Sequence, residues 1–120
     1  MPPSEPSPLS EIAMLVLTLL SDEPAHAYAL LRRLRPSRIC SQSSLYTVIR
    51  RLLEQGLLTS RVEPGAKNPD RHVLSLTGKG RELLSNHGED WETRVRSRLE
   101  TLLRTYVRLA SLLRHSGRVG

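Results

Sequence analysis

SLYTVIRRLLEQGL, residues 44–57, carries the clearest structural signal in this chain. At about 100° per residue on a helical wheel, Leu45 and four later apolar residues fall on one side. Those four are Val48, Ile49, Leu52 and Leu53. The opposite side carries small hydroxyls and then Arg50, while Arg51 lies on a flank. The pattern predicts a helix over about 42–55 with one packed side and one cationic side.

Both ends of this helix are marked in the sequence. Ser41 is a favourable N-cap, and Cys40 and Leu45 occupy the two positions of a hydrophobic staple. Gly56 readily adopts the left-handed conformation that ends helices. The small side chains at the N-terminus let the helix approach a surface closely, and Arg50 lies within reach of phosphates or a guanine edge. These features are typical of the recognition helix of a helix-turn-helix, although an amphipathic helix with a solvated polar face shows them as well.

Two shorter helices are predicted ahead of it. The first begins after the N-cap Ser10 and is apolar on nearly all sides over 12–20, which indicates burial on several faces. The second covers about 25–35, follows the break SDEP, and is ended by a proline. Ile39 and Cys40 indicate a short strand between the second and third helices.

Two extended runs follow the third helix, over about 58–63 and 71–76, and are joined by the turn-rich segment PGAKNPD. Their lengths and the connecting turn predict a hairpin with a protruding loop. Four basic side chains lie on or beside that loop: Arg61, Lys67, Arg71 and His72. A basic hairpin beside a recognition helix is a winged helix-turn-helix, whose wing lies along the DNA backbone or in the minor groove. The predicted fold class is therefore mainly α with a small β-hairpin.

The last predicted helix begins after its N-cap Thr77 and continues to about His115. Its apolar stripe contains Trp91, Val95, Leu99, Leu102, Tyr106, Leu109 and Leu113. Gly88 is the position where a bend or an interruption of this helix would fall, since a glycine inside a helix costs about 1 kcal/mol. An uninterrupted helix of this length would be about 57 Å long, which exceeds what a domain of this size covers. We therefore expect part of the stripe to pack against a second copy of the chain.

The charge distribution favours a polyanionic partner. The net charge is +6. Residues 1–24 contain four acids and no Lys or Arg, whereas residues 25–81 contain eleven Lys and Arg against three acids. Positive charge concentrated on the segment that holds the third helix and the hairpin suits nucleic acid. A soluble domain that is merely basic is the alternative.

Composition argues against secreted and membrane proteins. The chain has one cysteine, Cys40, so it has no internal disulfide framework and fits a reducing cytosol. Residues 1–8 contain four prolines and are expected to be a flexible lead without the positive region of a secretory signal. The longest apolar run, 12–20, is too short to cross a bilayer. We expect a cytoplasmic, nucleoid-associated protein with no membrane partner.

The sequence contains no recognisable arrangement for catalysis or metal binding. The four histidines, His26, His72, His87 and His115, are scattered without ligands at metal spacing. A phosphate-binding glycine loop and a serine nucleophile motif are also absent. We expect no metal, no cofactor and no enzymatic activity. Cys40 is interpreted as a packed thiol and not as a redox sensor, and His26 as a cap or packing residue of the second helix.

Three segments together resemble the PadR family of bacterial transcriptional regulators. They are HAYALL (26–31), SSLYTVIRRLLEQGL (43–57) and RHVLSLTGKGRELL (71–84). The family pattern has His-Gly-Tyr in helix two and Gly-Ser/Thr-Leu-Tyr-Pro at the start of the recognition helix. An Arg-Leu-Glu-Glu-Glu-Gly-Leu-like end follows, and then Arg-x-Tyr-Tyr-x-Leu-Thr-x-x-Gly across the second wing strand. The resemblance covers roughly residues 9–84, and the short C-terminus is similar to the family's smaller branch.

The chain departs from this pattern at five positions. Ala27 and Ser43 stand where glycines are usual, Thr47 where proline is common, and Val73 and Leu74 where tyrosines are paired. The resemblance implies that Tyr46 touches the DNA backbone and that the last helix forms a homodimer. Family members often sense small molecules near the dimer contact, so the resemblance also implies a small-molecule effector near the last helix. Trp91 is interpreted as a packing residue, and a flat aromatic effector stacked on it is the alternative.

The favoured function is a homodimeric, sequence-specific transcriptional regulator, expected to be a repressor, that binds palindromic double-stranded DNA. A two-fold dimer would place two recognition helices roughly 34 Å apart, one DNA turn. The predicted DNA-contacting residues are Gln42, Ser43, Ser44, Tyr46, Thr47, Arg50, Arg51, Arg61, Lys67, Arg71 and His72. Two other functions stay open: a winged-helix module that binds protein, and a non-specific architectural or plasmid-maintenance factor.

The expected domain organisation has four parts. They are a flexible lead (1–8), a winged helix-turn-helix (9–76), a dimerisation helix (77–115) and a tail (116–120).

Overall fold

The computed structural model of the protein describes residues 10–63 and 72–116. Its elements in chain order are α1 (Glu11–Asp22), β1 (Ala25–His26), α2 (Ala27–Leu34), α3 (Gln42–Glu54), β2 (Leu58–Val62), β3 (His72–Leu76) and α4 (Gly78–His115). A single 3-10 turn, Arg35–Ser37, follows α2. The chain forms two compact units, one that ends at Ser85 and one that begins at Asn86.

An aliphatic core holds the first unit together, and α1 contributes the most to it. Its buried residues are Ala13, Met14, Val16, Leu17 and Leu20. The helix packs against α3 and β3. Ser10 caps it as predicted, because the side chain of Ser10 accepts a hydrogen bond of 3.1 Å from the N–H of Ala13. The apolar residues on its remaining sides are half-buried, as expected of a helix covered on several faces.

The start of α2 differs from the prediction, because the first residues of the expected helix form a strand. Ala25 and His26 pair antiparallel with β3, and the helix begins at Ala27. The side chain of His26 makes no capping hydrogen bond. Its Nε2 atom instead lies 3.1 Å from Oε1 of Glu63, at the end of β2. His26 therefore links the start of α2 to the end of β2 where the hairpin loop begins, which the sequence did not indicate.

The segment between α2 and α3 contains no strand, in contrast to the expectation for Ile39 and Cys40. After the 3-10 turn, Arg38 adopts a left-handed conformation with φ 51°, and the next residues are irregular. A strand needs a partner for its backbone donors and acceptors. The three strands of the sheet are formed by other residues, and Ile39 and Cys40 pair with none of them.

The third helix, α3, forms as predicted. The Ser41 side chain accepts a hydrogen bond from the N–H of Ser44 at 3.1 Å, and Gly56 ends the helical segment with φ 78°. Leu45, Ile49 and Leu52 are buried. The burial pattern confirms a helix with one packed side and one outward side.

The sheet has the order β1-β3-β2 and is antiparallel throughout. The hairpin of β2 and β3 is confirmed, whereas the third strand was not predicted. Leu58, Leu74 and Leu76 point into the core. Because β2 and β3 alternate their side chains between two faces, this register decides which basic residues share a surface.

The last helix, α4, begins where the sequence predicts and continues through Gly88 without interruption. The Thr77 hydroxyl caps it by accepting a hydrogen bond of 3.0 Å from the N–H of Gly80. The same hydroxyl donates to the carbonyl of Gly56 at 2.7 Å. Thr77 therefore ties the start of α4 to the turn that ends α3.

Candidate nucleic-acid interface

The outward side of α3 presents two unpaired arginines. Arg50 and Arg51 are both exposed. Neither forms an ion pair with a carboxylate in the described part of the chain. By contrast, Arg94 and Arg96 on α4 pair with Asp90 and Glu92, one turn earlier in the same helix. The two arginines of α3 are therefore available to a partner, and the three buried residues on its other side hold the helix in place.

The N-terminus of α3 carries a cluster of hydroxyl groups. Gln42, Ser43 and Ser44 are exposed, as the DNA-binding prediction requires. Two of these side chains also take part in the cap, because the Ser41 hydroxyl donates to Ser44 Oγ at 3.0 Å and lies 3.4 Å from Ser43 Oγ. The small serine side chains thus cap the start of the helix and allow this end to approach a partner closely. Gln42 lies in the same turn.

Tyr46 and Thr47 have a mixed environment. Both are half-buried. The Tyr46 ring packs against the core of the first unit. The apolar part of a tyrosine in this setting restricts its orientation, and its hydroxyl carries the hydrogen-bonding capacity of the side chain.

The two wing residues that the structure describes lie on opposite faces of the hairpin. Arg61 is paired with Val73, and His72 with Val62, so that Arg61 and His72 belong to different side-chain rows. Both are exposed. The other two predicted wing residues, Lys67 and Arg71, lie outside the described residues.

His26 and Glu63 form a side-chain contact at the end of β2, where the wing loop begins. The contact joins two elements that lie 37 residues apart in the sequence. His26 shares its row with Arg61, because both are paired with Val73. Sequence reasoning missed this contact, since His26 and Glu63 meet only when β1 joins the sheet.

The second unit displays a long apolar surface on α4. Trp91 and Val95 are half-buried. The later members of the predicted stripe are more than half exposed: Leu99, Leu102, Tyr106, Leu109 and Leu113. Leu103, Val107 and Leu112 widen this surface and are equally exposed. So many large apolar side chains on one stretch of helix exceed the scattered exposure that is normal for a protein surface.

The described residues contain no group of three or more histidines, cysteines or acids arranged to hold a metal ion. Among the helices that the structure describes, none combines the length and the apolar character needed to cross a bilayer.

Cys40 is half-buried, and this burial raises the pKa of its thiol.

Comparisons with known proteins agree with this architecture. The chain matches the transcriptional regulator PadR-like family over residues 16–86. A PadR family transcriptional regulator from Eggerthella lenta is 34% identical; the match covers 76% of this chain and 80% of that chain, with a TM-score of 0.60. No curated protein matches the sequence significantly.

Two more distant structures show the same fold. A PadR family transcription regulator from Clostridium difficile has a TM-score of 0.62 at 17% identity, over 78% of this chain and 99% of that chain. BpsR of Bordetella bronchiseptica, whose DNA binding is regulated by 6-hydroxynicotinic acid, has a TM-score of 0.65 at 20% identity. That match covers 88% of this chain and 76% of BpsR.

The family match spans more than half of the chain and includes the three segments that carry the PadR pattern. The mainly helical fold with its small antiparallel sheet and long last helix is the one found in these regulators. The chain therefore belongs to the PadR-like family of transcriptional regulators, which are DNA-binding proteins and not enzymes.

Proposed function

We propose that this chain is a homodimeric repressor that recognises an inverted repeat in double-stranded DNA. In each half-site α3 lies in the major groove, with Arg50 as the candidate base-reading residue and Arg51 beside it. The observation that carries the proposal is the pair of unpaired guanidinium groups on the outward side of a helix whose other side is buried. Arginine donates two parallel hydrogen bonds to a guanine edge, which makes it suited to this role.

The remaining predicted DNA-binding residues are proposed to position the helix. Gln42, Ser43, Ser44, Tyr46 and Thr47 would contact phosphate and sugar groups at the start of α3. Arg61 and His72, on opposite faces of the hairpin, would reach the two backbones on either side of a minor groove that the wing enters. Lys67 and Arg71 complete the proposed wing contacts.

The dimer is proposed to form through α4, with residues 77–115 as the dimerisation segment and 9–76 as the DNA-binding segment. The exposed apolar residues of α4 support it, because burying each one would contribute roughly 1.5–3 kcal/mol. From Leu99 to Leu113 the stripe alternates steps of three and four residues. This is the spacing with which helices pack along a shared seam.

We also propose that a small-molecule effector binds near this dimer contact. The protein is proposed to act in the cytoplasm, at the nucleoid. The Nε1 atom of Trp91 is shielded from solvent and has no hydrogen-bond acceptor among the described residues. A buried N–H without an acceptor costs free energy. An effector, or the second chain, would supply the acceptor. BpsR is one regulator of this fold whose DNA binding responds to a small aromatic acid.

The test of DNA recognition is a comparison of wild type with Arg50→Ala on a duplex that the wild type selects from random DNA. We expect the variant to lose about 1–3 kcal/mol of binding free energy and to tolerate substitutions at the base that Arg50 reads. Gel-shift titrations on the selected duplex and on single-base variants measure both effects.

Arg81→Ala is the matched control, because Arg81 is exposed in the first unit and belongs neither to the proposed DNA-contacting residues nor to the apolar stripe of α4. It removes the same charge and should leave sequence preference unchanged. Wild-type affinity in an Arg50→Ala/Arg51→Ala double variant would refute α3 as the recognition helix. A protein-binding module would instead yield no selected sequence, and an architectural factor would bind random and selected DNA equally.

A further inference from the structure

The turn that leads into α3 forms a shallow, positively charged concavity. Its lining consists of Leu31, Arg35, Arg38, Cys40, Ser41 and Gln42. Arg35 and Arg38 are held together by a hydrogen bond of 3.0 Å from the Arg38 N–H to the Arg35 carbonyl. Two guanidinium-bearing residues thus border one depression on the surface.

Nothing among the described residues neutralises this charge. The lining contains no acid, and neither arginine forms an ion pair with a described carboxylate. Burial raises the pKa of the Cys40 thiol, so the thiol is uncharged near neutral pH and does not offset the arginines. Two guanidinium groups that border one hollow without a carboxylate partner favour an anion, and guanidinium donors suit the oxygens of a phosphate group.

The backbone of Arg38 provides an independent observation. Within the described residues, Arg38 is the one non-glycine residue with positive φ. The left-handed conformation crowds the Cβ of an L-residue, and glycine adopts it without this cost. Arg38 takes this conformation as the C-cap of the 3-10 turn, where glycine would fit with less strain, and its side chain lines the hollow.

The location of the concavity indicates which anion it meets. Gln42 is both part of its lining and the first residue of α3. If α3 enters the major groove, the turn immediately before it passes over the phosphates at the edge of that groove.

We propose that Arg35 and Arg38 together bind one backbone phosphate of the operator, next to the groove that α3 occupies. This inference rests on the proposed function. It adds a contact that precedes α3 and gives the left-handed turn a role in DNA affinity.

The first test compares Arg35→Ala and Arg38→Ala with the control Arg81→Ala in the full chain. Fluorescence anisotropy is measured on the duplex selected by the wild type, across monovalent salt concentrations. Loss of one phosphate contact should reduce the slope of log affinity against log salt by about 0.9. If wild type and variants have equal affinity for the duplex near 1 M salt, the variants should bind it roughly eightfold more weakly near 0.1 M salt. Arg81→Ala should keep the wild-type slope.

Arg38→Gly separates the contact from the stability of the turn. It removes the guanidinium and relieves the left-handed strain, so we expect an unfolding temperature equal to or above that of wild type, with the weakened DNA binding of Arg38→Ala. Arg38→Lys keeps the charge and should retain most of the salt slope. Wild-type affinity and slope in Arg38→Ala and Arg38→Gly would overturn the proposal.

Two further measurements identify the source of the phosphate. Neutral methylphosphonates replace single phosphates, one at a time, along the selected duplex. Replacement at one position should weaken DNA binding by the wild type and leave DNA binding by Arg38→Ala unchanged. Inorganic phosphate alone is titrated into DNA-free protein. Saturation of the DNA-free wild type, but not of Arg38→Ala, below 1 mM inorganic phosphate would mean that the site serves a free anion, which contradicts the proposal.

The outcome is separable from that of the proposed function. If Arg50→Ala weakens binding and the Arg35 and Arg38 variants do not, this inference alone fails. If the wild type selects no DNA sequence, the proposed function fails first.

Discussion

Gly80 illustrates how a single residue fixes the start of α4 against the sheet. A Cβ atom at this position would collide with the carbonyl oxygen of Leu57 and lie 2.7 Å from Cδ1 of Leu76. The glycine is needed for close approach and not for an unusual φ. It is also the glycine of the Leu-Thr-x-x-Gly pattern, which therefore has a packing explanation in this chain.

We expect Gly80→Ala to lower the free energy of unfolding by about 1–3 kcal/mol, because a methyl group would be forced into a filled space. Gly78→Ala is the control, since nothing lies within 4 Å of a Cβ built there. Urea denaturation of both variants measures the difference. Equal stability of the two would show that the backbone around Gly80 yields easily.

Residue-scale prediction worked best for the caps. Ser10, Ser41 and Thr77 were each identified as caps, and each accepts a hydrogen bond from the N–H three residues later. The N–H that a capping side chain binds lies three residues later, so a short stretch of sequence includes both partners of the hydrogen bond. The partner of His26 is 37 residues away, and no local pattern could identify it.

At the scale of elements, α3 could be predicted in full and β1 could not. The apolar spacing of α3 repeats over several turns, and a long periodic pattern is the strongest signal in a sequence. Ala25 and His26 have no strand pattern of their own. They are extended because they pair with β3, whereas Ile39 and Cys40 pair with no strand and are irregular despite their favourable composition.

The continuity of α4 through Gly88 makes a second prediction. Glycine in the middle of a helix costs about 0.5–1 kcal/mol relative to alanine, and nothing lies within 4 Å of a Cβ at this position. Gly88→Ala should therefore raise the unfolding temperature, whereas Gly88→Pro should break the helix and lower its content. Circular dichroism during heating measures both. An unchanged or lower unfolding temperature in Gly88→Ala would indicate that the helix bends at this residue in solution.

For the whole molecule, the features predicted least completely are those that depend on a second chain. The stripe on α4 was predicted from its spacing, and five of its seven members are more than half exposed in the single chain. The exposed apolar stripe supports the proposed dimer, but a single chain does not contain the other side of that contact. The proposed dimer is therefore best tested by association.

We expect Leu102→Lys to weaken self-association on the order of 100-fold or more, because a two-fold seam would bury the new charge twice and lose two leucine contacts. DNA affinity at nanomolar protein should fall with it, since paired half-sites need paired subunits. Sedimentation equilibrium measures the association constant, and gel shifts measure the DNA affinity.

Thr101→Lys is the control, because Thr101 is exposed on the same helix and lies outside the stripe. It adds the same charge and should leave association unchanged. A Leu102→Lys variant that stays dimeric at micromolar concentration would exclude this part of α4 as the seam.

The pairing of β1 with β3 has a consequence for how the protein is made. Ala25 cannot find Leu74 until the ribosome has synthesised both, which takes roughly 2–10 s at ordinary elongation rates. During that interval α3 has been translated but lacks the β3 leucines that complete the core around it. A nascent chain therefore cannot bind DNA with a complete wing before β3 has been synthesised.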